Sequence, residues 1–396
     1  MATNPPPFGN PNSSASNPST AANPLNALAK KPITLDDLEW VLRQAVSQSM
    51  SDIHLHVGHP PMVRHHGAMK FLPLPPLTER VLFDFVQKTI PTRALKLVDE
   101  QKEIDYGFGV NGLARFRVNL FYELNRPALV MRIIPWEIPS IDQLGLPECV
   151  ERFSMLNNGL VLVTGPTGSG KSTTLASLLQ TIVKQRQKHI ITIEDPIEFL
   201  HTANQSFVTQ REIGVDTDNF ATGIKYALRQ DPDVILIGEM RDRETVAAAL
   251  HAAETGHLVF STLHTSDTVQ TIARIINIFQ PHEREPVRMQ LSQVLRGTIA
   301  QRLLPKCEGE GRVPVVEVMT VTSTVKDYVQ QNQLDNIYDL VQETDLGEMV
   351  SLNQSLFKAV KNGWISSQEA LEQSNNVVQL SQMLRGAFHG SRGTPR

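Results

Sequence analysis

Short apolar runs alternate with amphipathic stretches through the middle of the chain. Leu160–Thr164, His189–Ile193, Val234–Ile237 and Leu258–Thr262 are largely apolar, and helical patterns separate them. Strands buried on both faces read this way, because crossover helices cover a parallel sheet from either side. Upstream the period differs. Leu38, Val41, Leu42, Ala45 and Val46 recur at helical spacing behind Thr34-x-x-Asp37, an N-cap signature. Ile53, Leu55 and Val57 alternate with His54 and His56, as in a half-buried strand. Ile104, Tyr106 and Phe108 alternate again, and Asn111-Gly112 predicts a hairpin into Phe116, Val118 and Leu120.

With a further strand over Ala128–Ile134, residues 33–140 predict a small α+β domain built on an antiparallel sheet. Pro135 and Pro139 mark a linker. An α/β core is expected over 141–396, becoming polar and helical from about residue 306, with Ser366-x-x-Glu369 opening one helix. Residues 1–32 read as a disordered tail: no charge precedes Lys30, and Pro, Asn, Ser and Ala dominate.

Composition narrows the function classes. Lys+Arg number 37 against 41 Asp+Glu, a net charge of −4. A protein that coats nucleic acid would carry a basic excess, so no nucleic-acid partner is expected. Two cysteines, Cys149 and Cys307, exclude a disulfide scaffold and a four-thiolate zinc site. No run of 18 apolar residues occurs, and the N-terminus lacks the charged and apolar regions of a secretory signal. A reducing cytosol is the expected compartment.

The chemistry concentrates at one glycine-rich turn. Gly165, Pro166, Thr167, Gly168, Ser169, Gly170, Lys171 and Ser172 fit G-x-x-x-x-G-K-[ST] between a strand and a helix expected to open at Thr173. Glycines let successive backbone N–H groups face a phosphate, and the helix N-terminus adds its dipole. Lys171 would reach the β- and γ-phosphates of ATP, and the Ser172 hydroxyl would ligate Mg²⁺. Two later strands run into carboxylates at the sheet edge where ligands gather, at Glu194–Glu198 and at Gly238-Glu239. Gly238 stands where an Asp commonly ends such a strand, which leaves Glu239 to meet Mg²⁺ through water. A third strand ends at His264, placed to bond a γ-phosphate or its attacking water. His54 and His56, two apart on one strand face, could share a metal, although a polar strand-and-turn cluster accounts for them as well.

Together these segments resemble the type II/IV secretion ATPase superfamily, in its type IV pilus retraction branch. Carrying the resemblance are Gly165–Ser172, the acidic box Thr192–Glu198 and the segment Gly238–Thr245. Ala253–Val259, the histidine box Ser261–Thr265, Ser51–Leu55, Ala114–Asn119 and Leu352–Leu356 carry it further. The resemblance implies a PAS-like N-terminal domain, a RecA-like core and a homohexameric ring. It also implies an inner-membrane pilus platform protein as partner, with the ring peripheral at the inner face of the cytoplasmic membrane. It assigns Glu198 the general-base role, Glu239 the Walker B role and His264 the histidine-box role. Arg117 and Arg132 fit the family's nucleotide-approaching arginines, and strand alternation sets Arg117 opposite Phe116 and Val118. Thr324–Gln331 keeps the apolar spacing of the retraction branch's C-terminal helix but loses most of its charge. Two cysteines cannot build the zinc knuckle usual in extension and type II secretion relatives, which favours retraction. The implied function is a motor ATPase for pilus retraction. The alternatives are an extension or type II secretion assembly ATPase and, against the charge balance, a nucleic-acid translocase.

Overall fold

A computed structural model describes residues 32–386, apart from 49, 66–67, 93–94, 96–102, 135–136, 310 and 344–346. The expected tail, save Pro32, lies outside the described residues, as does Pro135 of the expected linker.

The N-terminal region forms a six-stranded antiparallel sheet ordered β3-β2-β1-β6-β5-β4. Its strands are β1 (Asp52–His56), β2 (Met62–His65), β3 (Ala68–Phe71), β4 (Glu103–Val110), β5 (Ala114–Glu123) and β6 (Arg126–Ile134). Alternation along β5 buries Ala114, Phe116, Val118 and Leu120 and turns Arg115 and Arg117 to the opposite face. Onto the buried face pack helices Leu35–Ser47 and Glu79–Thr89, through Leu38, Leu42, Leu82 and Phe85. The predicted N-cap at Thr34 is present on the first of these helices, and with Asp37 it closes a capping box. The β4–β5 hairpin turns at Gly112, whose φ of 71° needs a residue without Cβ strain. His56 Nδ1 lies 2.8 Å from Glu123 Oε1, and its ring stacks on His54 with centroids 6.4 Å apart.

The second sheet has seven strands, ordered β13-β12-β7-β11-β10-β8-β9. They are β7 (Gly159–Thr164), β8 (His189–Glu194), β9 (Phe207–Glu212), β10 (Val234–Ile237), β11 (Leu258–Leu263), β12 (Leu295–Pro305) and β13 (Arg312–Thr320). All pair in parallel except β13, which runs antiparallel to β12. The four predicted core strands are all present. Successive residues feed separate cores on the two faces: Leu160, Ile191, Ile235 and Val259 on one, Val161, Ile190, Val234 and Phe260 on the other. The protein is thus α/β as expected.

Three strands of this sheet went unanticipated, as did the four-residue strands β2 and β3 of the N-terminal sheet. β13 occupies part of the stretch expected to be polar and helical after residue 306, and its Val313, Val315, Val316 and Val318 are buried. Only the β-branched run signals it, in a neighbourhood otherwise polar. β9 is an edge strand of mixed polarity, with Phe207 exposed, so it carries no clear period. β12 follows helix Arg284–Val294 with no intervening loop. After β13 the chain is helical, and the Ser366 hydroxyl caps helix Ser367–Gln373 by accepting the Glu369 N–H. Among the described residues no helix is long and apolar enough to cross a membrane.

Candidate functional site

The carboxyl ends of β7, β8, β10 and β11 converge on a cleft of about 490 Å³ whose outer wall comes from the N-terminal sheet. Lining it are Thr167, Gly168, Lys171 and Ser172 of the glycine-rich loop, Glu194, Asp195 and Glu198 after β8, Glu239 after β10 and His264 after β11. Asp105 and Arg117 reach it from β4 and β5. Strands of a parallel sheet end side by side, so residues far apart in sequence meet there without further device.

Gly165, Gly168 and Gly170 take φ values of 142°, 78° and 88°, which curl the loop. The helix opens at Lys171, two residues before the predicted Thr173, with Gly170 as its N-cap. Thr173 therefore sits within the first turn. Lys171 Nζ donates to the carbonyls of Gly165 at 2.9 Å and Pro166 at 3.0 Å, spanning the loop from inside. Burial lowers the Lys171 pKa, and the nearby Glu198 and Glu239 carboxylates oppose that shift. Ser169 Oγ is buried with no hydrogen-bond partner among the described residues. An orphaned hydroxyl and a cationic Nζ beside a curled loop fit an anionic group.

A strand the sequence did not reveal supports this loop. Gln301 of β12 donates to the Ser169 carbonyl at 2.7 Å and accepts from the Thr174 hydroxyl at 2.7 Å. A Cβ on Gly165 would overlap the Gln301 carbonyl oxygen, so close approach of β12 requires glycine there.

Glu239 pairs with Arg241 at 2.8 Å and lies 3.7 Å from His264 Nε2. The Thr262 hydroxyl donates to the Gly238 carbonyl at 2.7 Å, tying β11 to the turn that carries Glu239. The two arginines separate. Arg117 faces the cleft, whereas its cross-strand partner Arg132 pairs with Asp52 of β1 at 3.0 Å and is not among the lining residues.

Glu194 lies within the acidic box, and the resemblance assigns it no role. Its Oε1 accepts from the Thr192 hydroxyl at 2.6 Å and from Gln210 at 3.2 Å, and its Oε2 from the Glu198 backbone N–H at 3.3 Å. Despite these donors, burial pushes its pKa up to about 7, while burial pushes the neighbouring His201 down to about 4. The signs oppose each other. As pH rises from 4.5 to 7 the Glu194 contribution to stability is lost, because the native state holds a proton that the unfolded chain releases earlier. As pH falls from 6.5 towards 4 the His201 contribution is lost, because the unfolded chain takes up a proton first. Each is worth up to about 3 kcal/mol. Glu194→Gln is therefore expected to gain stability relative to the native protein as pH rises from 4.5 to 7, measured by denaturant unfolding. A pH-independent difference would refute the assignment.

The described type II/IV secretion system protein family matches residues 30–372. The chain belongs to this family. It is 41% identical over 338 residues to the type IV pilus retraction ATPase PilT of Pseudomonas aeruginosa, covering 85% of this chain and 98% of that protein. It is 40% identical over 321 residues to a twitching motility protein of Neisseria gonorrhoeae, covering 81% and 86%. PilU of P. aeruginosa is 35% identical over 349 residues, covering 88% and 91%. The crystal structure of the retraction motor PilT with bound ADP superposes with a TM-score of 0.81 at 43% identity, covering 89% of this chain and all of that one. By family and fold this protein is a P-loop ATPase.

Proposed function

We propose that this ATPase couples ATP hydrolysis to pilus retraction as a homohexameric motor. The observation that carries the reading is the single cleft in which Lys171, Ser172, Glu198, Glu239, His264 and Arg117 meet. The Gly165–Ser172 loop with Thr173 cradles the phosphates, and Lys171 exchanges its two loop carbonyls for β- and γ-phosphate oxygens. Ser172 and Glu239 offer hard oxygen donors of the kind Mg²⁺ takes, Glu239 through water. When bound, Mg²⁺ neutralises charge on the triphosphate. Glu198 accepts a proton from the attacking water, and His264 bonds the γ-phosphate edge. Arg117 stabilises charge developing on that phosphoryl group, a contribution worth about 10³–10⁵ in rate. Arg132 takes the same part when it leaves Asp52.

In this reading residues 33–140 are the PAS-like domain, 141–396 the RecA-like core with its helical part, and 1–32 a tail. The ring works at the cytoplasmic face of the inner membrane, against a platform protein of the pilus machinery. Identity to retraction proteins along most of their length supports retraction over extension. Deleting the gene is expected to leave cells with excess pili that do not retract, counted by microscopy. Bald cells would overturn retraction in favour of extension, and ATPase activity strongly stimulated by DNA would point to a translocase.

A further inference from the structure

Arg115 crosses from the N-terminal sheet into the core beside the cleft. It lies two residues before Arg117 on the same face of β5. Its Nη2 donates to Glu212 Oε2 at 2.6 Å, and its Nε donates to the Ile197 carbonyl at 3.3 Å. The same Glu212 oxygen accepts the Ile197 backbone N–H at 3.2 Å. One ion pair thus holds the peptide groups on both sides of Ile197, whose neighbour is Glu198. Both side chains are largely buried, 15% and 6% exposed, so the contact is shielded from water. Gly107 on β4 leaves the space the guanidinium fills, since a methyl group there would overlap it.

We propose that Arg115 is a positioning residue for hydrolysis: with Glu212 it fixes the backbone carrying Glu198, so turnover requires the N-terminal sheet to be seated on the core. Nucleotide binding belongs to the glycine-rich loop, which Arg115 does not touch, so the effect falls on kcat. Arg115 presents a fork to a carboxylate and a carbonyl together, a geometry a lysine ammonium cannot reproduce. A displacement of the Ile197 peptide moves Glu198 directly, and misplacing a reacting group by about 1 Å can cost about 10²-fold in rate. The inference rests on Glu198 activating the water.

The test uses the full-length assembled protein, with ATP turnover and binding of a non-hydrolysable ATP analogue measured together. Arg115→Ala is expected to lower kcat about 10²-fold with analogue affinity and oligomeric state unchanged, and Arg115→Lys to recover part of the loss. Gly107→Ala displaces the guanidinium, so it lowers kcat in the native background and adds nothing in the Arg115→Ala background. Native kcat in Arg115→Ala, or losses that multiply in the double variant, would overturn the proposal. So would equal loss of affinity, kcat and melting temperature, which marks a merely structural ion pair. Glu198→Gln in the same assay separates the premises. If it is inactive while Arg115→Ala is native-like, the positioning role alone fails; if it turns over normally, the role assigned to Glu198 fails first.

Discussion

Lys171→Ala is expected to abolish ATP hydrolysis while leaving the chain folded and its oligomeric state unchanged. Lys171 is the cation buried in the glycine-rich loop, and among the described residues no other lysine lines the cleft. Removing one preorganised donor from developing charge commonly costs about 10²–10³ in rate, and here a full charge and ground-state phosphate binding go with it. Stability should change little, because two opposing terms are removed together. The alanine variant loses two bonds to the Gly165 and Pro166 carbonyls, worth about 1.5–3 kcal/mol each for a charged donor. It also loses the cost of holding an ammonium group away from water, the cause of the lowered Lys171 pKa. Phosphate release and a melting curve on one preparation check both halves. Native-like hydrolysis would remove this loop from the mechanism.

Glu198→Gln should separate chemistry from binding. The amide is nearly isosteric and leaves the backbone N–H to Glu194 in place. It cannot take a proton from water, and loss of a general base costs about 10²–10⁴ in kcat. ATP affinity should hold or rise slightly, because one negative charge leaves the neighbourhood of the triphosphate. Single-turnover hydrolysis and titration with a fluorescent ATP analogue give the two numbers. A matched fall in affinity with kcat unchanged would make Glu198 a binding residue.

Much of the site was legible before any fold was in hand. A phosphate loop is a local device, in which glycines, lysine and a following helix all lie within one short stretch. The carboxylates and His264 were found because apolar runs mark buried strands and their next residues mark a common sheet edge. Arg117 came from the resemblance, and alternation along β5, which fixes the face of every second residue, set its direction. The same logic could not separate Arg117 from Arg132, since both share that face; Asp52 makes the difference, from a strand distant in sequence. β9, β12 and β13 were missed where polar edges and helix junctions blur the period, and β2 and β3 because four residues are too few to show one.

The sequence by itself determined the α/β class, the loop chemistry and the likeness to retraction ATPases, because each rests on spacing within a continuous segment. The tertiary structure alone decided how those parts are held. Gln301 braces the loop from β12, and Arg115 with Glu212 grips Ile197 across the two sheets. Each of those contacts joins a polar group to one that chain order does not place beside it. Their strength comes from burial, and no residue's burial is written in its immediate neighbours.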